Sequence, residues 1–284
     1  MASRTPTALV TGASSGIGRS CTRVLAEAGY RVFAGVRSEA AARELENEGQ
    51  GRVVPVALDV TDAASVAAMR TTIAAQCPYG LDALVNNAGI ALGGPIETTP
   101  IETFERQFDV NVWGVVRVTQ ACLDLLRDAR GRIVNIGSLA GRIGEPLLAP
   151  YSASKHALEA ISDVLRLELR PWKIAVVLLE PGTIATPIWG KGRQTVEPLL
   201  AAMSPRHHEL YASSVYRLVD LVAREERSGR SPMLVAKTVL RALRARRPRT
   251  RYVVGSDAKA AIWLRRWLPE ALFDRLIVRH MGLE

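Results

Sequence analysis

The sequence predicts an α/β fold: a single-domain, doubly wound parallel sheet with helices on both faces, plus a helical lid and a C-terminal extension. Three observations predict it. Short β-branched runs alternate with longer helical segments over residues 7–180. Those runs are apolar throughout, as strands covered on both faces must be. Six such units with right-handed crossovers wind a sheet outward in both directions. The composition agrees: 284 residues, 48% hydrophobic and 23% charged, are ordinary for a globular chain and exclude a disordered one.

The elements follow in order. Thr7–Val10 reads as the first strand, and Ile17–Ala28 as a helix stopped by Gly29. Arg31–Val36 is the second strand and Ala40–Glu48 the next helix, ended by Gly49. Val53–Leu58 is the third strand; Asp62 opens a helix to Gln76. Leu81–Val85, Arg132–Ile136 and Ile174–Leu179 are strands four to six, separated by helices 101–127 and 151–169. Residues 183–232 break the rhythm with prolines, glycines and little strand pattern, which suits a lid over 187–231. Pro232 starts a helix to Arg244, Arg251–Val254 is a last short strand, and two amphipathic pieces split by Pro269 end the chain.

Cys21, Cys77 and Cys122 stand far apart with no C-x-x-C pair, so neither a disulfide scaffold nor a thiolate zinc site is expected, and a reducing, cytoplasmic setting is. His156, His207, His208 and His280 match no metal motif. Residues 1–240 carry 26 Lys/Arg against 24 Asp/Glu, and residues 241–284 carry 11 against 4. The body is near neutral and only the tail is basic, so nucleic acid is not an expected partner. No signal peptide is expected from Met1 to Thr11. The longest central apolar run, Ile174–Leu179, is far short of the ~20 residues that span a bilayer. The Trp263–Arg265–Arg266–Trp267 stretch is expected to pack as a terminal helix with solvated arginines; contact with a membrane surface is the lesser reading.

The first strand runs into Thr11-Gly12-Ala13-Ser14-Ser15-Gly16-Ile17-Gly18 and then a helix. Glycines let the backbone turn tightly and approach a phosphate, and the helix N-terminus offers N–H groups and a positive dipole end. The second strand ends at Arg37, a fork suited to a 2′-phosphate, whereas an acid there would select the ribose hydroxyls of NAD; Glu39 nearby is a competitor for that role. Asp59 and Val60 follow the third strand at the ligand edge, although Asp59 also reads as a helix cap. Asn86-Asn87-Ala88-Gly89 suits a ribose contact or a plain turn. Ser138 ends the fifth strand. Tyr151 and Lys155, at i and i+4, share one helix face. An ammonium beside a phenol favours phenolate, so Lys155 is expected to lower the Tyr151 pKa from ~10.

The order and spacing of these pieces resemble the short-chain dehydrogenase/reductase family over residues 6–186. The match rests on Thr11 to Gly18, Asp59, Asn86 to Gly89, Asn111 in Asn111-Val112-Trp113-Gly114, Ser138, Tyr151-Ser152-Ala153-Ser154-Lys155, and Pro181-Gly182-Thr183-Ile184-Ala185-Thr186. The resemblance implies a Rossmann-type fold and hydride transfer between a nicotinamide cofactor and a carbonyl or alcohol. It implies Tyr151 as acid/base, Lys155 on the nicotinamide ribose, Ser138 orienting the substrate oxygen, and Asn111 holding a water in a relay to Lys155. Pro181, Gly182, Thr183, Ile184 and Thr186 would meet the nicotinamide end. Arg247 to Tyr252, Asp257-Ala258-Lys259 and the Trp/Leu/Pro tail are similar to the hydroxysteroid and retinol dehydrogenase branch. That implies a large apolar alcohol or ketone, with Trp189, Leu199, Leu200, Met203 and Tyr211 as pocket candidates beside a reading of them as plain core. NADP(H) is the expected cofactor and NAD(H) the lesser one. A homodimer or homotetramer through helices 101–127 and 151–169 is expected. A 3-oxoacyl thioester reductase and a non-catalytic nucleotide binder are the competing readings.

Overall fold

The computed structural model describes residues 4–190, 194 and 196–283, without the side chain of Trp189. Seven strands form one parallel sheet: β1 (Thr7–Val10), β2 (Arg31–Val36), β3 (Val53–Ala57), β4 (Ala83–Asn86), β5 (Arg132–Ile136), β6 (Ala175–Pro181) and β7 (Arg251–Val254). Their order is β3-β2-β1-β4-β5-β6-β7. β1 sits at the switch point, with Leu9 in register with Phe33 of β2 on one side and Leu84 of β4 on the other. At such a point the loops leaving the strand ends diverge and open a crevice.

The helices are α1 (Gly16–Glu27), α2 (Glu39–Glu48), α3 (Ala63–Gln76), α4 (Ile101–Phe108), α5 (Gly114–Ala129), α6 (Ala149–Glu168), α7 (Val196–Ala201), α8 (Pro205–Ser228), α9 (Pro232–Arg244), α10 (Ser256–Trp267) and α11 (Glu270–His280). Strand side chains alternate between faces, and each face has its own core. Cys21, Val24 and Leu25 of α1 and Val235, Ala236 and Val239 of α9 pack on Val10, Val85, Val134 and Val177. Met69 and Ile73 of α3 and Val118, Cys122 and Leu126 of α5 pack on Leu9, Phe33, Leu84 and Ile133. The three cysteines are free and buried, and burial raises each thiol's pKa.

Two features depart from the expected elements, and the tail follows them. The helix expected over 101–127 is interrupted by a π turn at Asp109–Trp113, which buries Asn111 and Val112. The excursion over 183–232 holds a 24-residue helix, α8, opened by Ser204, whose Oγ accepts from His207 N at 3.2 Å, and by Pro205 in its first turn. The two tail pieces are α10 and α11, and they fold back over the strand ends near α8. Among the described residues, no helix is long and apolar enough to cross a membrane.

Candidate active site

The loop after β1 is built to let a ligand approach. Gly12 and Gly16 have φ of +63° and +53°, which side chains disfavour. A Cβ on Gly12 would lie 2.8 Å from Ala88 Cα, and one on Gly18 would lie 2.1 Å from the Gly12 carbonyl oxygen. Gly18 therefore lets α1 close on its own turn and does not line the groove. Thr11 Oγ1 accepts from Asn87 N and Ala88 N, both at 2.9 Å. Asn87 Nδ2 donates to the carbonyls of Thr11 and Gly12 at 2.9 and 3.1 Å. These bonds lock the glycine turn to the end of β4.

No side chain caps α1, whereas Ser38 caps Ala41 N of α2 and Asp62 caps Ala64 N of α3. The first N–H groups of α1 thus lack an intrahelical partner and face the groove, as an anion site requires. Gly12, Ser14, Ser15, Gly16 and Ile17 line one side of this groove of about 450 Å³; Arg37, Asp59 and Val60 line its far end, and Asn87, Ala88 and Gly89 its floor. Arg37 is exposed there and has no carboxylate partner among the described residues. Glu39 is turned to Arg43, 3.4 Å away. Asp59 Oδ1 accepts from Thr61 N and Oγ1 at 3.0 and 2.7 Å, while Asp62 takes the helix cap. Asn86 does not reach the groove. It is buried, and its Nδ2 donates to Thr119 Oγ1 and Asn135 Oδ1.

Where this groove ends, Ser138, Tyr151 and Lys155 meet. Ser138 follows β5, and its Oγ accepts from Ala140 N at 3.2 Å. Tyr151 and Lys155 lie one turn apart on α6, with 7% and 6% of their surface exposed. Lys155 Nζ donates to the Ile136 carbonyl at 2.9 Å and lies 5.7 Å from the Tyr151 ring centre. The expected lowering of the Tyr151 pKa is not what this geometry gives. Burial pushes the phenol up to about 12; its hydrogen bond with Ser138 opposes that shift and the Glu145 charge adds to it. Burial also brings Lys155 down to about 8. Desolvation outweighs the ammonium's pull because Lys155 spends a donor on a carbonyl and does not touch the phenol.

Asn111 holds this corner together. Its Oδ1 accepts from Ile90 N at 2.9 Å; its Nδ2 donates to Ile90 O at 3.0 Å and to Ser154 Oγ at 3.1 Å. Ser154 Oγ donates in turn to the Tyr151 carbonyl at 2.7 Å. The π turn is what brings this amide to α6.

The family model described as short chain dehydrogenase matches residues 6–197. The chain belongs to the short-chain dehydrogenase family. It is an oxidoreductase of that family, as its relatives are. The NADPH-dependent 3-dehydrocapnine reductase of Ornithobacterium rhinotracheale is 37% identical over 284 residues, covering 96% of each chain. The 17-beta-hydroxysteroid dehydrogenase type 6 of Bos taurus is 37% identical over 95% of this chain and 87% of that one. A short-chain dehydrogenase structure from Streptomyces avermitilis superposes with a TM-score of 0.80 at 30% identity, over 97% of this chain and 96% of that one. A Burkholderia cenocepacia short-chain dehydrogenase solved in complex with NADP superposes with a TM-score of 0.74 at 26% identity, over 95% and 97%.

In this short-chain dehydrogenase a second cavity, of about 470 Å³, opens on Ser138, Tyr151 and Lys155 and meets the groove at Ile17, Asn87 and Gly89. Pro181, Gly182, Thr183, Ile184 and Thr186 form one wall of this cavity, and Thr186 also lines the groove. That wall is clamped from the tail. Asp257 Oδ2 accepts from Thr183 N at 2.8 Å, Arg230 Nε lies 3.3 Å from Asp257 Oδ1, and Ala185 N donates to Arg230 O at 2.9 Å. Leu218, Leu221 and Val222 of α8, Leu264 of α10, Phe273, Leu276 and Ile277 of α11, and Met281 just after it supply most of the apolar lining.

The pocket candidates fared differently. Leu200 is buried away from the cavity, Leu199 lines a separate space of about 40 Å³, and Tyr211 Oη donates to Glu97 Oε2 at 2.6 Å. Met203 is likewise not among the lining residues. The Trp189 side chain lies outside the described residues. Sequence reasoning missed the lining from α8 and α11. The signal was present: Phe273, Leu276, Ile277 and Met281 recur at i, i+3, i+4 and i+8, the stripe of a helix that buries one face.

Proposed function

We propose that the protein uses NADP(H) to interconvert a bulky apolar ketone and its secondary alcohol, with Tyr151 as general acid and base. One observation carries this: a largely apolar cavity ends on Ser138 and Tyr151 at the point where it meets the dinucleotide-shaped groove. The residues fit the cofactor. The glycine turn leaves room for a pyrophosphate at the uncapped end of α1, and unpartnered Arg37 stands where a 2′-phosphate would lie. NAD(H) would be accepted more weakly. When bound, the nicotinamide supplies or takes the hydride.

The chain's own part is positioning and proton transfer. Ser138 orients the substrate oxygen toward the phenol. Tyr151, protonated at neutral pH, gives its proton to that oxygen during reduction and takes it back in oxidation. The Lys155 ammonium, present below about pH 8, holds the nicotinamide ribose. Asn111 takes part in the relay that returns the proton to Lys155 through a water. Residues 187–231 act as the lid of one folded unit spanning 1–284.

The same reading makes the protein a cytoplasmic homodimer or homotetramer. Exposed Ile101, Trp113, Val164, Leu167 and Trp172 on and beside α4 to α6 support the assembly. Peripheral membrane contact is a second reading, favoured by exposed Trp263 and Trp267 beside Arg265 and Arg266. Initial rates with NADPH and NADH against steroids, retinoids, acyl thioesters and small polar carbonyls test the main proposal. Turnover confined to bulky apolar compounds is expected; turnover only on thioesters or small polar carbonyls would overturn the substrate class.

A further inference from the structure

We propose that the cavity selects a cationic amphiphile: a protonated amine carried close to the reacting carbonyl on a long apolar chain, with Glu145 as its counter-ion. This rests on reading the same cavity as the substrate pocket and narrows what enters it.

Glu145 stands in the connection between β5 and α6 and lines the cavity with Ser138 and Tyr151. Its main chain is held. The N–H donates to Ser152 Oγ at 3.3 Å, and the carbonyl accepts from Leu148 N at 3.1 Å. Its carboxylate forms no ion pair among the described residues; Lys155, which lines the same cavity, gives its Nζ to the Ile136 carbonyl. The charged group that acts on it is of like sign: Glu225 of α8, which lines the same cavity. Burial, with that field added, pushes the Glu145 carboxyl up to about 7.

A half-buried carboxylate that shares an apolar cavity with another carboxylate is destabilised unless something compensates it. The protein does not supply the compensating cation at Glu145. Glu225 is different, because His280 Nε2 lies 3.9 Å from it. Leu218, Leu264, Phe273 and Ile277 give the rest of the cavity a hydrocarbon wall, while Glu226, Asp257 and His280 also line it and leave its charge predominantly negative. Glu145 lines the same cavity as Ser138 and Tyr151, and its charge adds to the rise of the phenol's pKa. A cation held by Glu145 therefore sits near the carbonyl that Tyr151 protonates. A cation there also offsets the negative charge that opposes phenolate formation, so the preferred substrate assists its own proton transfer.

The test is calorimetric titration of the NADP⁺ complex with decylamine and with decanol at pH 8, in the wild type and in Glu145→Gln. The wild type is expected to bind the amine at least tenfold more tightly than the alcohol, and Glu145→Gln to bring the two within about twofold. Equal binding by the wild type overturns the proposal without recourse to the variant. So does a preference that survives Glu145→Gln. Rates with a long-chain α-amino ketone and its amine-free analogue separate this proposal from the reading beneath it. Faster reduction of the neutral ketone would sink the counter-ion and leave the apolar reductase standing. Glu145-dependent amine binding with no ketone reduced would keep the counter-ion and remove the reductase reading.

Discussion

Replacing Arg251 with Met probes what fixes the catalytic helix to the sheet. Arg251 lies on β7. Its Nε is 2.9 Å from Glu159 Oε2 and 3.5 Å from Glu180 Oε1, and one terminal nitrogen is 2.7 Å from Asp163 Oδ2. Glu159 and Asp163 are on α6, two and three turns beyond Tyr151. Glu180 is on β6 and 1% exposed. Without Arg251, Glu180 and Glu159 share only Arg142, at 3.2 and 3.9 Å. Breaking a fully buried pair costs about 3–5 kcal/mol. Arg142 remains and Asp163 regains water, so the loss here is about 2–3 kcal/mol, which for a chain of this length lowers Tm by about 3–5 °C.

The loss depends on pH with a definite sign. Burial, and then Glu159, already raise the Glu180 carboxyl above its ordinary value. Removing Arg251 raises it further, so the folded variant takes up a proton at a pH where the unfolded chain stays ionised. The penalty is therefore largest at high pH and shrinks as Glu180 is neutralised. Thermal melts followed by circular dichroism at pH 8 and pH 5.5 measure it, and the loss at pH 5.5 is expected to be less than half that at pH 8. An equal loss at both values, or a fall in Tm below about 1 °C at pH 8, would refute the reasoning.

Two further outcomes follow from the cofactor groove. Arg37→Ala is expected to weaken NADPH by about 10- to 30-fold, the lower end for a charge-assisted pair because the site is open to solvent, and to change NADH by less than twofold. Fluorescence titration checks this, and equal losses would take Arg37 off the 2′-phosphate. Lys155 is lowered to about 8, so affinity for NADPH should fall as pH rises through that value. Lys155→Met should bind more weakly at every pH and lack that limb.

Much of the fold was legible because buried parallel strands must be apolar and β-branched, and glycines such as Gly29, Gly49 and Gly131 mark several of the helix-to-strand turns. The Tyr151 and Lys155 pair was legible because four residues is one helical turn. Three things were not. The length of α8 was hidden by its polar face, although Ser204-Pro205 marked its start. The π turn that brings Asn111 to Ser154 has no local signature; it follows from packing between α6 and the loop at Ile90. The Tyr151 pKa was misjudged because spacing places two groups on one face but does not say how dry that face is. Pairings across the chain, such as Asp257 with Thr183 and Arg251 with Glu180, depend on β7 adding to the sheet edge and are set by topology.

The most direct test of the account is Tyr151→Phe, assayed for NADPH binding by fluorescence and for ketone reduction by single-turnover NADPH oxidation. Phe fills the same buried space and removes only the hydroxyl that Ser138 and the substrate oxygen would share. The account predicts wild-type cofactor affinity within about threefold, with the rate down at least 10³-fold, the loss of a positioned acid. Reduction at more than a tenth of the wild-type rate would contradict it.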